Sequence, residues 1–448
     1  MTSGLRGMRM FTLVWAGQVV SILGTGMTGF GLAIWLWDRT GEATPLALLG
    51  VLSGIAGLLS KLVAGPLVDR WDRRRIMIVS DFIAGLSGFI LFLLYSGGRL
   101  EVWHLYVLSV ITAFVRTFQY LAYSASLTLM VPKAQYARAQ GMISLAEYAS
   151  LIGAPFLGSL LIYAIGLQGV LLIDLMTFLF AVGILFAVRI PQPTRLEAET
   201  PKPLWRDSLL GFQYIFQRPG LTGLLLITFT FSLTEALAYP LLTPMILART
   251  GGNAVTLGTI RAVQGIGGVV GGVFLSVWGG PKRRIHGVLI GIALTGLLGD
   301  AVLGVGRSLP GWIIGAFFLE FFLPLALSSY QAIWHAKVAP AMQGRVFAAR
   351  DAMATLGEPA SMLLGGVMTD QLLEPAMMPN GALSGVFGGL VGTGPGAGMS
   401  LLLVIGGVLS AVVGLSGYLF RRVREVETLL PDYDAEELAV QGAADSPP

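Results

Sequence analysis

Gly65-Pro66-Leu67-Val68-Asp69-Arg70-Trp71-Asp72-Arg73-Arg74-Arg75 interrupts two long apolar runs, and its charge pattern decides how the rest of the chain is read. The run before it starts near residue 44 and the run after it ends near residue 97. Each is long enough to cross a hydrocarbon core of about 30 Å. An acid at the carboxyl end of a helix opposes the helix macrodipole, so Asp69 is tolerated only beside an arginine or the positive amino end of another helix. A partner helix is therefore implied. Gly65 has no side chain and permits its close approach, as small residues do in membrane helix contacts. An ordinary basic loop would explain the arginines but not Asp69 at that spacing.

Outward from this stretch the chain stays oily. Of 448 residues, 54% are hydrophobic and only 12% charged, with a mean hydropathy of +0.75; a soluble domain carries about 25% charged residues. At about 20 apolar residues per crossing, spans fall near 10–37, 44–68, 76–97, 102–131, 142–165, 168–190, 220–248, 255–279, 286–306, 311–335, 346–370 and 398–420. The first run is far longer than a signal-peptide core of about 7–15 residues and reads as a spanning helix.

Loop charge gives an independent check, because cytoplasmic loops hold the excess of Lys and Arg. With the amino terminus inside, those loops hold about 22 basic residues against about 5 outside (Arg39, Arg99, Arg249, Arg261 and Arg307), with Lys61 and Arg116 left in spans. Both termini are thus expected in the cytoplasm. Residues 191–219 are polar and carry Pro191, Pro193, Pro201 and Pro203, which suit a linker. Leu204 to Phe216 within it mixes apolar residues with Arg206 and Asp207 and reads as an interfacial helix. Two sequence echoes about 207 residues apart, Val131 to Arg138 with Val338 to Arg345 and the basic run Arg73–Arg75 with Lys282–Arg284, suggest related halves. The expected organisation is an amino-terminal six-helix bundle over 1–190, the linker over 191–219, a second six-helix bundle over 220–420, and a partly disordered acidic tail over 421–448.

The Gly65 to Arg75 stretch resembles the signature of the major facilitator superfamily between its second and third helices. That resemblance implies an all-α membrane fold of two six-helix bundles, and a secondary transporter that works by alternating access. It also implies that Gly65, Asp69, Arg70, Arg73 and Arg74 close an inner gate against the start of helix eleven near Gly344 and Arg345. Asp72 stands where the superfamily usually has glycine; the macrolide-efflux and enterobactin-exporter type tolerates that change. Other segments are similar to the same type: Trp15-Ala16-Gly17-Gln18 with Ser21 and Gly24, Gln331-Ala332-Ile333-Trp334, Gln343-Gly344-Arg345-Val346-Phe347, and Glu374-Pro375-Ala376-Met377-Met378. Gly153, Pro155 and Gly158 in helix five resemble part of the antiporter motif of exporters, although helix packing alone would also favour them.

Ionisable residues inside spans are expensive and usually face an interior or a pathway. Arg116-Thr117-Phe118-Gln119 resembles the superfamily's fourth-helix motif, associated with proton coupling, with Tyr120 where glycine is usual. Acids at membrane depth are Glu147, Asp174, Glu235, Glu320 and Glu358; Glu235 and Glu358, near the centres of helices seven and eleven, are the favoured cavity acids and Asp174 a packing polar group. For each acid a fixed ion pair or interhelical hydrogen bond competes with a functional role. Aromatics such as Trp15, Phe118, Tyr123 and Tyr239 could line a cavity, although most aromatics in such a chain are core or lipid-facing.

The chain has no cysteine, and His104, His286 and His335 lack ligand spacing, so neither a metal nor any other cofactor is expected. Basic residues are dispersed among loops, which disfavours nucleic acid as a partner. Gly392 to Gly398 follows no strand and reads as a flexible lead into helix twelve, and no nucleotide loop drives transport. No compact constellation for an intramembrane enzyme is apparent. By resemblance, the expected protein is a monomer in a bacterial inner membrane that exports a drug-like, macrolide-type or siderophore-like molecule in exchange for protons. A lipid flippase of the same fold is the alternative.

Overall fold

The computed structural model describes residues 2–131, 135–188 and 204–432, and within them the chain is all-helical. Ten helices are long and apolar enough to cross a membrane among the described residues. Two features bring this into register with the spans read from sequence. The segment Leu145–Ala187 is 43 residues of one such helix, yet Gly166 inside it has φ 70 and ψ 175, a kink that separates two crossings. Glycine is what allows the left-handed backbone there. The span expected over 346–370, by contrast, is not one rod: it breaks at Gly357 and again into a π-helical segment, Thr369–Leu373.

The chain divides into two compact units, residues 1–197 with 246–262, and residues 198–245 with 263–448. The first contains α1 (Thr2–Thr40), α2 (Ala43–Arg70), α3 (Arg73–Ser96), α4 (Val102–Met130) and α5 (Tyr136–Ala187). Within it α1 packs along α5, α2 along α4, and α3 against both α4 and α5. Gly153 and Gly158 of the helix-five motif face α1, where a Cβ on Gly158 would lie 3.3 Å from Phe30 and 3.4 Å from the Met27 Cα.

The second unit opens with α6 (Leu204–Phe216) and α7 (Pro219–Ala238). A 3-10 turn, Tyr239–Leu241, leads into α8 (Leu242–Thr250), and α9 (Ala254–Trp278) follows; the boundary between units runs through α8 and α9. Next come α10 (Arg284–Leu294), a π-helical segment Thr295–Asp300, α11 (Ala301–Val305), α12 (Leu309–Lys337) and α13 (Pro340–Leu356). After α14 (Glu358–Met368) and Thr369–Leu373 come α15 (Glu374–Met377), α16 (Ser384–Val391), α17 (Ala397–Ser416), α18 (Arg421–Arg424) and α19 (Val426–Leu429). α6 is the helix expected in the linker, and it lies on protein: it packs against α13 and α7, and Ile215 is fully buried. Residues 191–203 of the expected linker, and 189 and 190 before it, lie outside the described residues.

Two expectations need correction, and the start of the tail can be placed. There α18 and α19 fold back, with Val423 and Val426 buried in the same core as Leu224, Ile285 and Trp334. Residues 433–448 of the tail lie outside the described residues. Lys337 and Arg350, counted as loop charges, are 7% and 3% exposed in helices. Arg350 lies over the rings of Tyr330, Trp334 and Phe347, and bonds Gln331 Oε1 at 3.0 Å. The Gln331-to-Trp334 and Gln343-to-Phe347 motifs thus meet around a buried guanidinium, whose desolvation is offset by an ion pair with Asp351 at 2.7 Å and by the cation–π contacts. Finally, the glycine-rich lead into helix twelve is held in place. Gly392, Gly394 and Gly396 have positive φ, and the Glu374 carboxylate accepts from the Gly398 N–H at 2.9 Å and from that of Gly396. An anion at the start of α17 satisfies amide donors the helix leaves open.

Candidate functional site

The signature stretch is built as a helix end, a turn and a helix start. α2 runs to Arg70 and α3 begins at Arg73. Asp72 is the N-cap of α3, accepting from the Arg75 N–H at 3.0 Å. This gives the acid at the usual glycine position a local task. Replacing it by alanine (Asp72→Ala) should cost about 1 kcal/mol of stability, read as a lower melting temperature of the purified protein, with Asp72→Ser restoring most of it. Arg74 donates to the carbonyls of Leu185 at 3.1 Å and Phe186 at 2.9 Å, at the end of α5, where a cation meets the negative pole of the helix. The side chains of Asp69 and Arg70, and the surroundings of Gly65 and Gly344, lie outside the described residues. Arg345 lies in the second turn of α13, where its carbonyl leaves no room for a side chain at Gly211 of α6.

Arg116 sits mid-helix in α4 and is exposed. Gln119 has a different setting: its amide donates to Gln18 Oε1 at 3.0 Å and to Asp81 Oδ1. Asp81, on α3, is 5% exposed, and its second oxygen has no hydrogen-bond partner among the described residues. Sequence reading missed this acid. It lies a few residues inside the span 76–97, next to a basic loop, where it passes for an interfacial residue. Asp174 accepts from Thr25 at 3.2 Å, and Gly24 leaves it room, with the Asp174 Cα 3.2 Å from where a Cβ would be. That is the packing contact expected of it.

In the second unit Glu235 stands in the last turn of α7, just before Pro240, which lacks the N–H that would continue the ladder. Its carboxyl accepts from Ser410 of α17 at 3.4 Å, and Ser410 lies 2.7 Å from the Thr234 hydroxyl. Asp300, a second acid that sequence reading did not single out, ends the π-helical segment and is 1% exposed. Glu358 is not at a helix centre; it opens α14 after the break at Gly357, in the first turn, where the dipole favours an acid. The Gly357 Cβ position faces Leu233 and Phe229 of α7. An apolar recess of about 470 Å³ lined by Leu297, Ala301, Val302, Val305, Gly306 and Gly311 offers no polar side chain to orient a ligand.

An all-helical chain crossing the membrane many times, with acids and amides at membrane depth and a basic helix-to-helix turn, has the makings of a secondary transporter. Residues 14–358 match the Major Facilitator Superfamily, and the chain belongs to that family. Its function is therefore transport of a small molecule across a membrane, not enzymatic turnover. It is 26% identical over 376 residues to macrolide efflux protein A of Streptococcus pyogenes, covering 81% of this chain and 90% of the relative. It is 24% identical over 374 residues to the enterobactin exporter EntS of Shigella flexneri, covering 80% and 84%. Among solved structures, a bacterial homologue of the human lysosomal transporter Spinster superposes with a TM-score of 0.66 at 15% identity, covering 94% and 97% of the two chains. The nucleoside transporter NupG gives 0.67 at 13% identity, covering 91% and 98%. Those two likenesses speak to fold alone.

Proposed function

We propose that the protein is a proton-coupled exporter of a drug-like, macrolide-type or siderophore-like molecule, working by alternating access in a bacterial inner membrane. The observation that carries this reading is the near full-length likeness to macrolide efflux protein A; the likeness to an enterobactin exporter points the same way. In this reading 1–190 and 220–420 are two six-helix bundles joined by 191–219, both termini face the cytoplasm, and the monomer is the working unit. Arg116, Gln119, Glu235 and Glu358 serve cavity and coupling; Gly153, Pro155 and Gly158 shape helix five.

The test is a panel in inverted vesicles: labelled erythromycin, a catecholate siderophore, a cationic dye and a labelled lysophospholipid, with and without a pH gradient. Uptake of one of the first three that collapses with a protonophore is expected. Movement of the lysophospholipid alone would favour a flippase instead, and gradient-independent uptake would remove the proton coupling. In the same reading Asp69, Arg70, Arg73 and Arg74 close the inner gate against Gly344 and Arg345. Asp69→Asn should then cut the transport rate at least about tenfold, the loss of roughly one charge-assisted contact, with insertion unchanged. A wild-type rate in a properly inserted variant counts against the gate.

A further inference from the structure

α17 draws two acids of the second unit to one place. Ser410 on α17 bonds Glu235 of α7 and Thr234 beside it. One turn earlier on α17, a Cβ on Gly407 would lie 3.0 Å from the Asp300 Cβ and 2.6 Å from the Ala301 nitrogen. The Glu235 and Asp300 carboxyls thus converge on one stretch of α17 and lie within interaction range of each other. Asp300 is 1% exposed, and neither of its oxygens receives a donor from any amide, hydroxyl or cation among the described residues.

A buried carboxylate with no donor is among the costliest groups a fold can hold. The group Asp300 does meet is another carboxyl, and an ionised carboxyl has nothing to donate. Only a proton held by one of them makes the contact a hydrogen bond. Glu320 on α12 adds a third acid charge that acts on both. The other charged groups on elements packed against the pair, among the described residues, are Glu358 at the start of α14, Asp370 in Thr369–Leu373, Glu374 at the start of α15, Arg284 and His286 at the start of α10, His335 and Lys337 at the end of α12, Arg345, Arg350 and Asp351 in α13, Arg421, Arg422 and Arg424 in α18, and Glu427 in α19. α17 itself carries no charge.

We propose that Glu235 and Asp300 share a single proton and form a proton-binding site within the second unit, with Ser410 positioning the Glu235 carboxyl. Loss of the proton leaves two anions face to face across the stripe of α17 that joins α7 to the π-helical segment. Such segments recur at functional positions in helices. The pair's role in coupling rests on the exporter reading above; its existence does not.

The test is pH-difference infrared spectroscopy on the full-length protein in lipid, which needs no transport substrate. A protonated-carboxyl band should fade in two steps as pH rises, as coupled acids do. Asp300→Asn and Glu235→Gln should each remove or shift that same band and leave a single step. A band that Glu235→Gln and Asp300→Asn both leave untouched would overturn the pair, and if one variant fails to fold the other decides. Flux of labelled erythromycin in the same vesicles separates the two claims. A shared band without proton-driven flux in wild type sinks the exporter reading and keeps the pair; proton-driven flux with an unaffected band does the reverse.

Discussion

Ending the chain after Phe420 should lower the melting temperature of the purified protein by about 5 °C, the scale of a 3–5 kcal/mol loss in a chain of this length. The reason is Lys337 at the end of α12. Its ammonium, on a residue 7% exposed, bonds the Glu427 carbonyl at 2.7 Å, the Leu430 carbonyl, and the Asp432 carboxylate at 2.8 Å. All three acceptors come from residues 421–432. In return Glu427 accepts from the Ile285 N–H at 3.0 Å at the start of α10. Truncation removes every one of these partners together with Val423 and Val426 from the core. The diagnostic lies in a double-mutant cycle. Lys337→Met in the full chain should destabilise by about 1–3 kcal/mol, because two carbonyls lose their donor. In the truncated chain the same change removes a cation with no acceptors left, and should be neutral or stabilising. Equal effects of Lys337→Met in both backgrounds would show that the ammonium does not fasten the tail.

The tail also marks where sequence reading stops. Its acidic run, Glu425 to Glu437, has the composition of a solvated segment. Composition cannot reveal that Val423 and Val426 fall on one face that a lysine end can hold. Long apolar runs were legible because a bilayer demands them, and the Asp69 stretch because an acid at a helix end needs an explanation. The break in helix eleven was legible in part: Gly357-Glu358-Pro359 puts a proline in the first turn of a new helix, a start signal. The π-helical segments were not, because the extra residue per turn leaves the hydrophobic pattern almost unchanged. Asp81 and Asp300 sat in plain view inside assigned spans. What makes them candidates is the absence, among the described residues, of donors around one oxygen of Asp81 and both of Asp300, a property of three or more helices together that no single run displays.

The second large effect should come from Gly407, and it tests how α17 holds the acids. Gly296 and Gly407 are mutual close approaches: a Cβ on either would overlap the carbonyl oxygen of the other, and one on Gly296 would also lie 2.6 Å from the Ser410 Cβ. These are backbone obstacles, not side-chain ends that can swing aside, so a methyl group must push α17 away from the segment ending at Asp300. Gly407→Ala should therefore cost about 1–3 kcal/mol as overpacking, although alanine is the better helix former by about 1 kcal/mol. Gly54→Ala in α2 is the control, since no atom of the described residues lies within 4 Å of that Cβ position; it should be neutral or slightly stabilising. The same displacement moves Ser410 off Glu235 and shifts Asp300 relative to it. Gly407→Ala should thus alter the carboxyl infrared band even where the protein still folds, while Gly54→Ala leaves it unchanged. Melting curves and spectra that cannot tell the two variants apart would mean that the spacing of α17 is not what brings the acids together.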